Sequence, residues 1–178
     1  MDSSRAAAAR RGYPDYEVRI PDGWRVVHTD AWPINTTFGP EKDLNIDTLM
    51  FETYGGAGRG LALSYEEFNH FPQSTIIADH HCSDEWSYLG HEWTGVTLKE
   101  IAKRTAASES DRFILIECDR RLTPCFPIRQ DVLFATKRNG SPVLREGGFP
   151  LRAVAPEGIR VQERKVGQQG QVHAGKRT

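Results

Sequence analysis

The order of elements along the chain predicts an α+β fold, a single domain built on a mixed sheet. Three observations carry that class. Short strand-like runs outnumber helical ones, helices do not alternate regularly with strands as a doubly wound sheet requires, and no internal repeat is present. With 178 residues the chain is long enough for one well-buried domain and short for two ordinary ones.

Taken in order, residues 1–12 read as a flexible leader and the domain proper spans 13–160. "GWRVVH" (Gly23 to His28) alternates as a short strand, and "AWPINTTFGPEKD" is a Pro- and Gly-rich loop. "NIDTLMFETY" is expected to be a second strand, closed by the turn "GGAGRG". That glycine run lacks the Lys-Ser/Thr ending of a P-loop, so a turn is the better reading than a phosphate cradle. Ser64 stands three residues before Glu67, a capping box that starts a short helix through Phe68. "TIIADHHC" then forms a strand that delivers Cys82 to a loop. Thr97 and Glu100 make a second capping box, opening a helix with Leu98, Ile101 and Ala102 on one face.

"RFILIEC" is a continuous apolar run of strand length, buried on both faces and ending at Cys118. "DVLFATKRNGSPV" predicts two strands around Asn139-Gly140, a strong hairpin dipeptide. "GFPLRAVAP" is a final strand holding Arg152. Residues 161–178 are basic and rich in Gly and Gln, the composition of a flexible, solvated tail.

Bulk properties narrow the function. With 38% hydrophobic and 26% charged residues, the composition is that of a soluble globular protein. No apolar run approaches the ~20 residues of a spanning helix. The opening "MDSSRAAAARRGYPDYE" lacks the apolar centre of a secretory signal, so the cytoplasm is the expected location. A net charge of -1 gives no general drive toward nucleic acid. The odd number of cysteines, Cys82, Cys118 and Cys125, fits no disulfide framework and no paired-cysteine zinc, haem-attachment or iron–sulfur pattern.

The chemistry concentrates in "ADHHCSDEWSYLGHEWTGV", Ala78 to Val96. Asp79, His80, His81, Cys82 and His91 are competent zinc ligands, but successive strand residues point to opposite faces, so His80 and His81 cannot both meet one ion. A nucleophilic Cys82 with His81 or His91 as base needs a cationic neighbour, and the residues that follow, Asp84 and Glu85, push its thiol the wrong way. A third reading is a soft-metal thiolate donated from a loop.

Here the motif series becomes specific. "HCSDEWSYLGHEWTGVTLKEI" resembles the sulfite-oxidase-like molybdopterin-binding family, in which a cysteine is followed by Trp-Ser, then Trp-x-Gly-Val/Phe-x-Leu and a helix. "GWRVVHTDAWP", "LALSYEEF" and "DVLFATKRNGSPVLREGGFPLRAVAP" are similar to further family segments in the family's order, so the likeness covers roughly residues 22 to 156. It implies a mixed-sheet domain of the sulfite oxidase molybdopterin-binding type, a molybdenum–molybdopterin cofactor, and an oxidoreductase exchanging an oxygen atom and two electrons with a small-molecule substrate. Since the chain shows no haem or iron–sulfur pattern, electrons pass to a separate partner.

The resemblance implies residue roles as well. Cys82 is the protein ligand to molybdenum and the catalytic residue. His28 contacts the pterin, Cys118 lines the cofactor pocket, and Arg152, in Gly-x-Pro-Leu-Arg, holds the cofactor phosphate, for which a guanidinium fork is suited. Trp86 and Trp93 are expected to be packing residues, Ser87 to stabilise its loop, and His91 to be a surface or loop histidine.

The departures from the family pattern also carry information. Where members that oxidise sulfite carry an arginine near the metal, this chain has Glu85 preceded by Asp84, so the substrate pocket repels anions and sulfite is expected to be a poor substrate. Gly147 stands where a His or Asn is usual, and the Lys-rich C-terminal element is only faintly echoed. Both features fit an alternative: a non-catalytic scaffold that keeps the fold with weak or no cofactor binding.

Overall fold

The computed structural model describes residues 20–27, 44–55, 60–82, 84–105, 113–117, 125–127, 131–156, 165–166 and 169–175. In chain order the strands are β1 (Arg25–Val26), β2 (Met50–Gly55), β3 (Ala62–Ser64), β4 (Ser74–Cys82), β5 (Trp86–Thr97), β6 (Phe113–Glu117), β7 (Cys125–Pro127), β8 (Leu133–Arg138), β9 (Ser141–Pro142), β10 (Leu151–Val154), β11 (Lys165–Val166) and β12 (Gln169–Gly175). Two α-helices stand among the described residues, α1 (Tyr65–Asn69) and α2 (Leu98–Thr105). The α+β class is therefore observed, with both parallel and antiparallel pairing.

The strands form two sheets. The larger runs β1-β5-β8-β10-β11, with β4 beside β5 and β9 beside β8. The smaller runs β3-β2-β12-β6-β7. Phe51 of β2 joins them, packing its ring on Phe134 of β8 at 5.3 Å and on Phe68 of α1 at 4.9 Å between centroids. Around it lie Val96, Leu98, Ile101, Leu151 and Ala153, a core that excludes water from the inner face of the larger sheet.

Local sequence signals account for several of these elements. Ser64 caps α1 through its hydroxyl while the Glu67 carboxylate returns to the Ser64 N–H at 2.8 Å. Thr97 Oγ1 accepts from the Glu100 N–H at 3.2 Å at the start of α2. Asn139 and Gly140 both take positive φ, 49° and 80°, as the tight β8–β9 turn requires.

Four expectations are corrected. The early strand narrows to Arg25–Val26, and His28 lies outside the described residues. The first half of "NIDTLMFETY" is a 3-10 turn, Ile46–Thr48, because the Asn45 side chain accepts from the Asp47 N–H and turns the backbone before β2 starts. The segment after Cys82 is not an extended loop but returns as the twelve-residue β5. The tail is not flexible throughout: β11 pairs with β10, and β12 lies inside the smaller sheet, parallel to β2 and antiparallel to β6. Backbone ladders on both sides of β12 satisfy its N–H and C=O groups, which needs no apolar pattern of its own.

Where β5 meets β8 the register slips, Thr94 facing Lys137 and Gly95 facing Ala135, so Thr136 is the extra residue of a bulge. The backbones close up there: a Cβ on Gly95 would lie 2.1 Å from the Phe134 carbonyl oxygen and 2.6 Å from Ala135 Cα. Gly95→Ala is expected to lower stability by about 3 kcal/mol. The check is the urea midpoint, and an unchanged midpoint would mean that the strands can separate without loss.

Candidate functional site

The site is built on the antiparallel pair β4 and β5. Their register runs from Ser74 opposite Gly95 to Cys82 opposite Trp86, interrupted once. Ala78 faces His91 and His80 faces Tyr88, so one residue of β4, Asp79, stands against two of β5, Leu89 and Gly90. Gly90 makes this bulge with φ 69°, a conformation costly for any residue with a Cβ, and the Asp79 carboxylate accepts from its N–H at 2.8 Å.

The bulge decides which side chains share a face. Partners across an antiparallel pair point the same way, so Cys82, His80, Ala78 and Ile76 stand with Trp86, Tyr88, His91 and Trp93. Tyr88 and His91, three apart in sequence, would face opposite ways on an unbulged strand. Here their rings stack at 4.0 Å and 18°. His91 is fully buried against Trp93 and near Asn139, whose amide nitrogen lies 3.4 Å from His91 Nδ1, which corrects the expectation of a surface histidine.

Arg152 joins this face from β10. Its register partner is Ala135, and its side chain crosses Trp93, with the guanidinium carbon 5.6 Å from that ring, to reach β4. The residue is 3% exposed. Nη1 donates to the Gly147 carbonyl, held out by the 3-10 turn Arg145–Gly147, and Nη2 donates to His80 Nδ1 at 3.1 Å. A guanidinium does not give up its proton, so His80 Nδ1 is the acceptor and this assigns the neutral ring with its proton on Nε2. The carbonyl and the neutral imidazole each orient the guanidinium through a hydrogen bond and bring no negative charge of their own. His80 is itself steadied by Trp86, 5.0 Å between ring centroids.

The opposite face carries the other histidine. His81 Nδ1 lies 2.8 Å from the hydroxyl of the fully buried Ser87, and its ring meets Trp24 edge-on at 5.9 Å. The alternation that argued against a shared zinc between His80 and His81 is thus observed. Ser87, expected to stabilise its loop, ties the two strands together beside Cys82.

Cys82 is buried at the last position of β4. Its carbonyl accepts from the Glu85 N–H at 3.1 Å, closing the three-residue connection to Trp86. Glu85 has φ 59°, and its carbonyl accepts from the Arg25 N–H at 3.0 Å, docking β1 against the turn. Asp84 and Glu85 are both exposed at this tip.

The structure thus brings together Cys82 and Arg152 on one face and leaves Asp84 and Glu85 exposed on the turn that follows Cys82. His28 and Cys118 lie outside the described residues. The sequence reading missed His80 as the residue that connects the two. The available signal was its spacing, since two positions before Cys82 on a strand is the same face. A buried thiol as soft ligand and an oriented guanidinium as anion holder fit a group that carries a soft metal at one end and a phosphate at the other.

Comparison with known proteins gives the family and the fold. The family described as the oxidoreductase molybdopterin binding domain matches residues 39–169. An uncharacterized oxidoreductase, YuiH, of Bacillus subtilis (strain 168) is 28% identical over 146 residues, covering 80% of this chain and 73% of the relative. The crystal structure of the sulfane dehydrogenase SoxCD from Paracoccus pantotrophus superposes with a TM-score of 0.62 at 20% identity, over 76% of this chain. The chain spans 40% of the length of that chain.

The left-handed backbone at Glu85 generates a stability prediction. The αL conformation costs a residue with a Cβ roughly 1–2 kcal/mol, against about 0.5–1 kcal/mol of extra unfolded-chain freedom for glycine. Glu85→Gly is therefore expected to stabilise the fold by about 0.5 kcal/mol, read as a higher denaturation midpoint. A lower midpoint would show that the Glu85 side chain contributes more than its backbone costs.

Proposed function

The chain belongs to the family of oxidoreductase molybdopterin-binding domains, and on that premise we propose that it is a molybdenum-cofactor-dependent oxidoreductase whose metal is ligated by Cys82. The observation that carries the reading is the shared face: a buried cysteine at the end of β4 and a buried, oriented arginine on β10. When bound, the cofactor supplies oxygen-atom and two-electron exchange with a small-molecule substrate.

The chain's own residues hold and orient. Cys82 is presented by a turn that its own carbonyl closes, so the sulfur is placed by backbone rather than by a flexible loop. Cys82 would hold the metal as a thiolate, a form that metal coordination would favour over the unfavourable charge of the neighbouring Asp84 and Glu85. Arg152 holds the cofactor phosphate, and His28 and Cys118 complete the pterin contacts. At the entrance Asp84 and Glu85 face solvent and repel anionic substrates, so the substrate is not sulfite. Electrons leave one at a time to a separate acceptor, since the three cysteines of the chain spell no haem or iron–sulfur site. No helix among the described residues is long and apolar enough to cross a membrane. The cytoplasm, without a nucleic-acid partner, is the setting that suits the composition.

The competing reading is a scaffold with little cofactor, favoured by Gly147, which offers no side chain where the family usually has a polar one. Elemental and pterin analysis of protein from a cofactor-supplying host separates the two. Near-stoichiometric molybdenum with pterin is the expected result, and neither group in folded protein would establish the scaffold. Cys82→Ser should lower bound molybdenum about tenfold or more, since even outer-shell partners of a metal are worth 10–100-fold. Wild-type molybdenum content in that variant would remove Cys82 as the ligand.

Sulfite should turn over slowly, and Asp84→Asn with Glu85→Gln should raise kcat/KM for sulfite about tenfold by removing repulsion at the entrance. An unchanged kcat/KM in the double variant would exclude the pair from the substrate path.

A further inference from the structure

We propose that His80 is a positioning residue of the cofactor site: it fixes the Arg152 guanidinium from the same strand that carries Cys82. The inference rests on the cofactor reading above and adds a residue and a mechanism to it.

An arginine side chain has four rotatable bonds, and one hydrogen bond leaves its fork free to swing. Arg152 is held at two points of different origin. The Gly147 carbonyl is local, five residues earlier in the chain. The imidazole of His80 is not: it comes from β4, 72 positions away in sequence. That second point sets where the fork lies relative to the thiol. His80 and Cys82 are two residues apart on one strand face, so their Cα atoms are separated by about 7 Å of nearly rigid backbone. The metal ligand and the holder of the anion-binding group are therefore spaced by one strand, and the cofactor's two ends are gripped in register.

Three features support this assignment over plain packing. The His80 ring is clamped by Trp86, the register partner of Cys82, so thiol and imidazole share one support. The neutral ring accepts from Arg152 without adding a negative charge beside the guanidinium, which a carboxylate in the same place would do. The Gly147 carbonyl and the His80 ring hold different nitrogens of the fork, so the two contacts together fix its plane.

The test compares wild type, His80→Asn and His80→Phe purified from one cofactor-supplying host. Asparagine keeps an acceptor close to the position of Nδ1, and phenylalanine keeps the ring against Trp86 but removes the acceptor. The readouts are pterin and molybdenum per mole of folded protein, and the thermal midpoint after the cofactor has been stripped. His80→Asn should hold cofactor within about twofold of wild type, whereas His80→Phe should lose about tenfold, at a stripped-protein midpoint close to wild type. Should His80→Phe fail to fold, His80→Ala removes the acceptor without its bulk and carries the same expectation. A loaded wild type with an equally loaded His80→Phe overturns the inference alone, as does His80→Asn as empty as His80→Phe. An empty wild type overturns the cofactor reading and this inference with it.

Discussion

The rest of the site depends on the antiparallel ladder between β4 and β5 and on the single bulge within it. β5 pairs along β4 from Trp86 to Gly95 on one side, while the other side serves β1 near Trp86 and β8 near Val96. Because strand side chains alternate, a displacement of one position would move Cys82 and His80 to the face now held by His81 and Ser87. Gly90 and the Asp79 carboxylate prevent that by giving the extra residue one defined place. The hairpin therefore acts as a register device whose output is the direction of a sulfur atom.

The second constraint is electrostatic. A guanidinium that is nearly fully buried is tolerated when its donors are answered, and here the answers come from a carbonyl and an imidazole. Each fixes the direction of one guanidinium nitrogen, one from the preceding turn and one from β4. Asp84 and Glu85 stand exposed at the turn between β4 and β5, so charge of both signs is placed by the same hairpin and the strand it faces.

Much of this was legible in the sequence where the controlling interactions are short-range. The Ser64–Glu67 capping box, the Asn139-Gly140 turn and the apolar run of β6 each depend on residues within a few positions, and they form as expected. The family was legible because its motifs extend in order over much of the chain. The contact between His80 and Arg152 was not, because nothing in the spacing of two residues 72 apart records that β10 returns near β4. His91 was misjudged for a related reason: only the bulge at Gly90 turns it inward, and a glycine among polar and aromatic residues does not announce which way its neighbours will face. The strand β12 escaped because its partners supply the ladder, while its own Gly and Gln content suggests solvent.

That strand has a consequence for how the chain is made. Met50 of β2 has Gln169 as its parallel partner, so the smaller sheet waits for 119 further residues (169 minus 50) before its middle strand emerges from the ribosome. Until then β2 and β6 each present an open edge that β12 will later occupy on both sides. Such late, non-local pairing is slow and leaves nascent strands available to other chains. The smaller sheet thus closes only after translation has passed residue 175, which makes the order of synthesis a constraint on the order of folding.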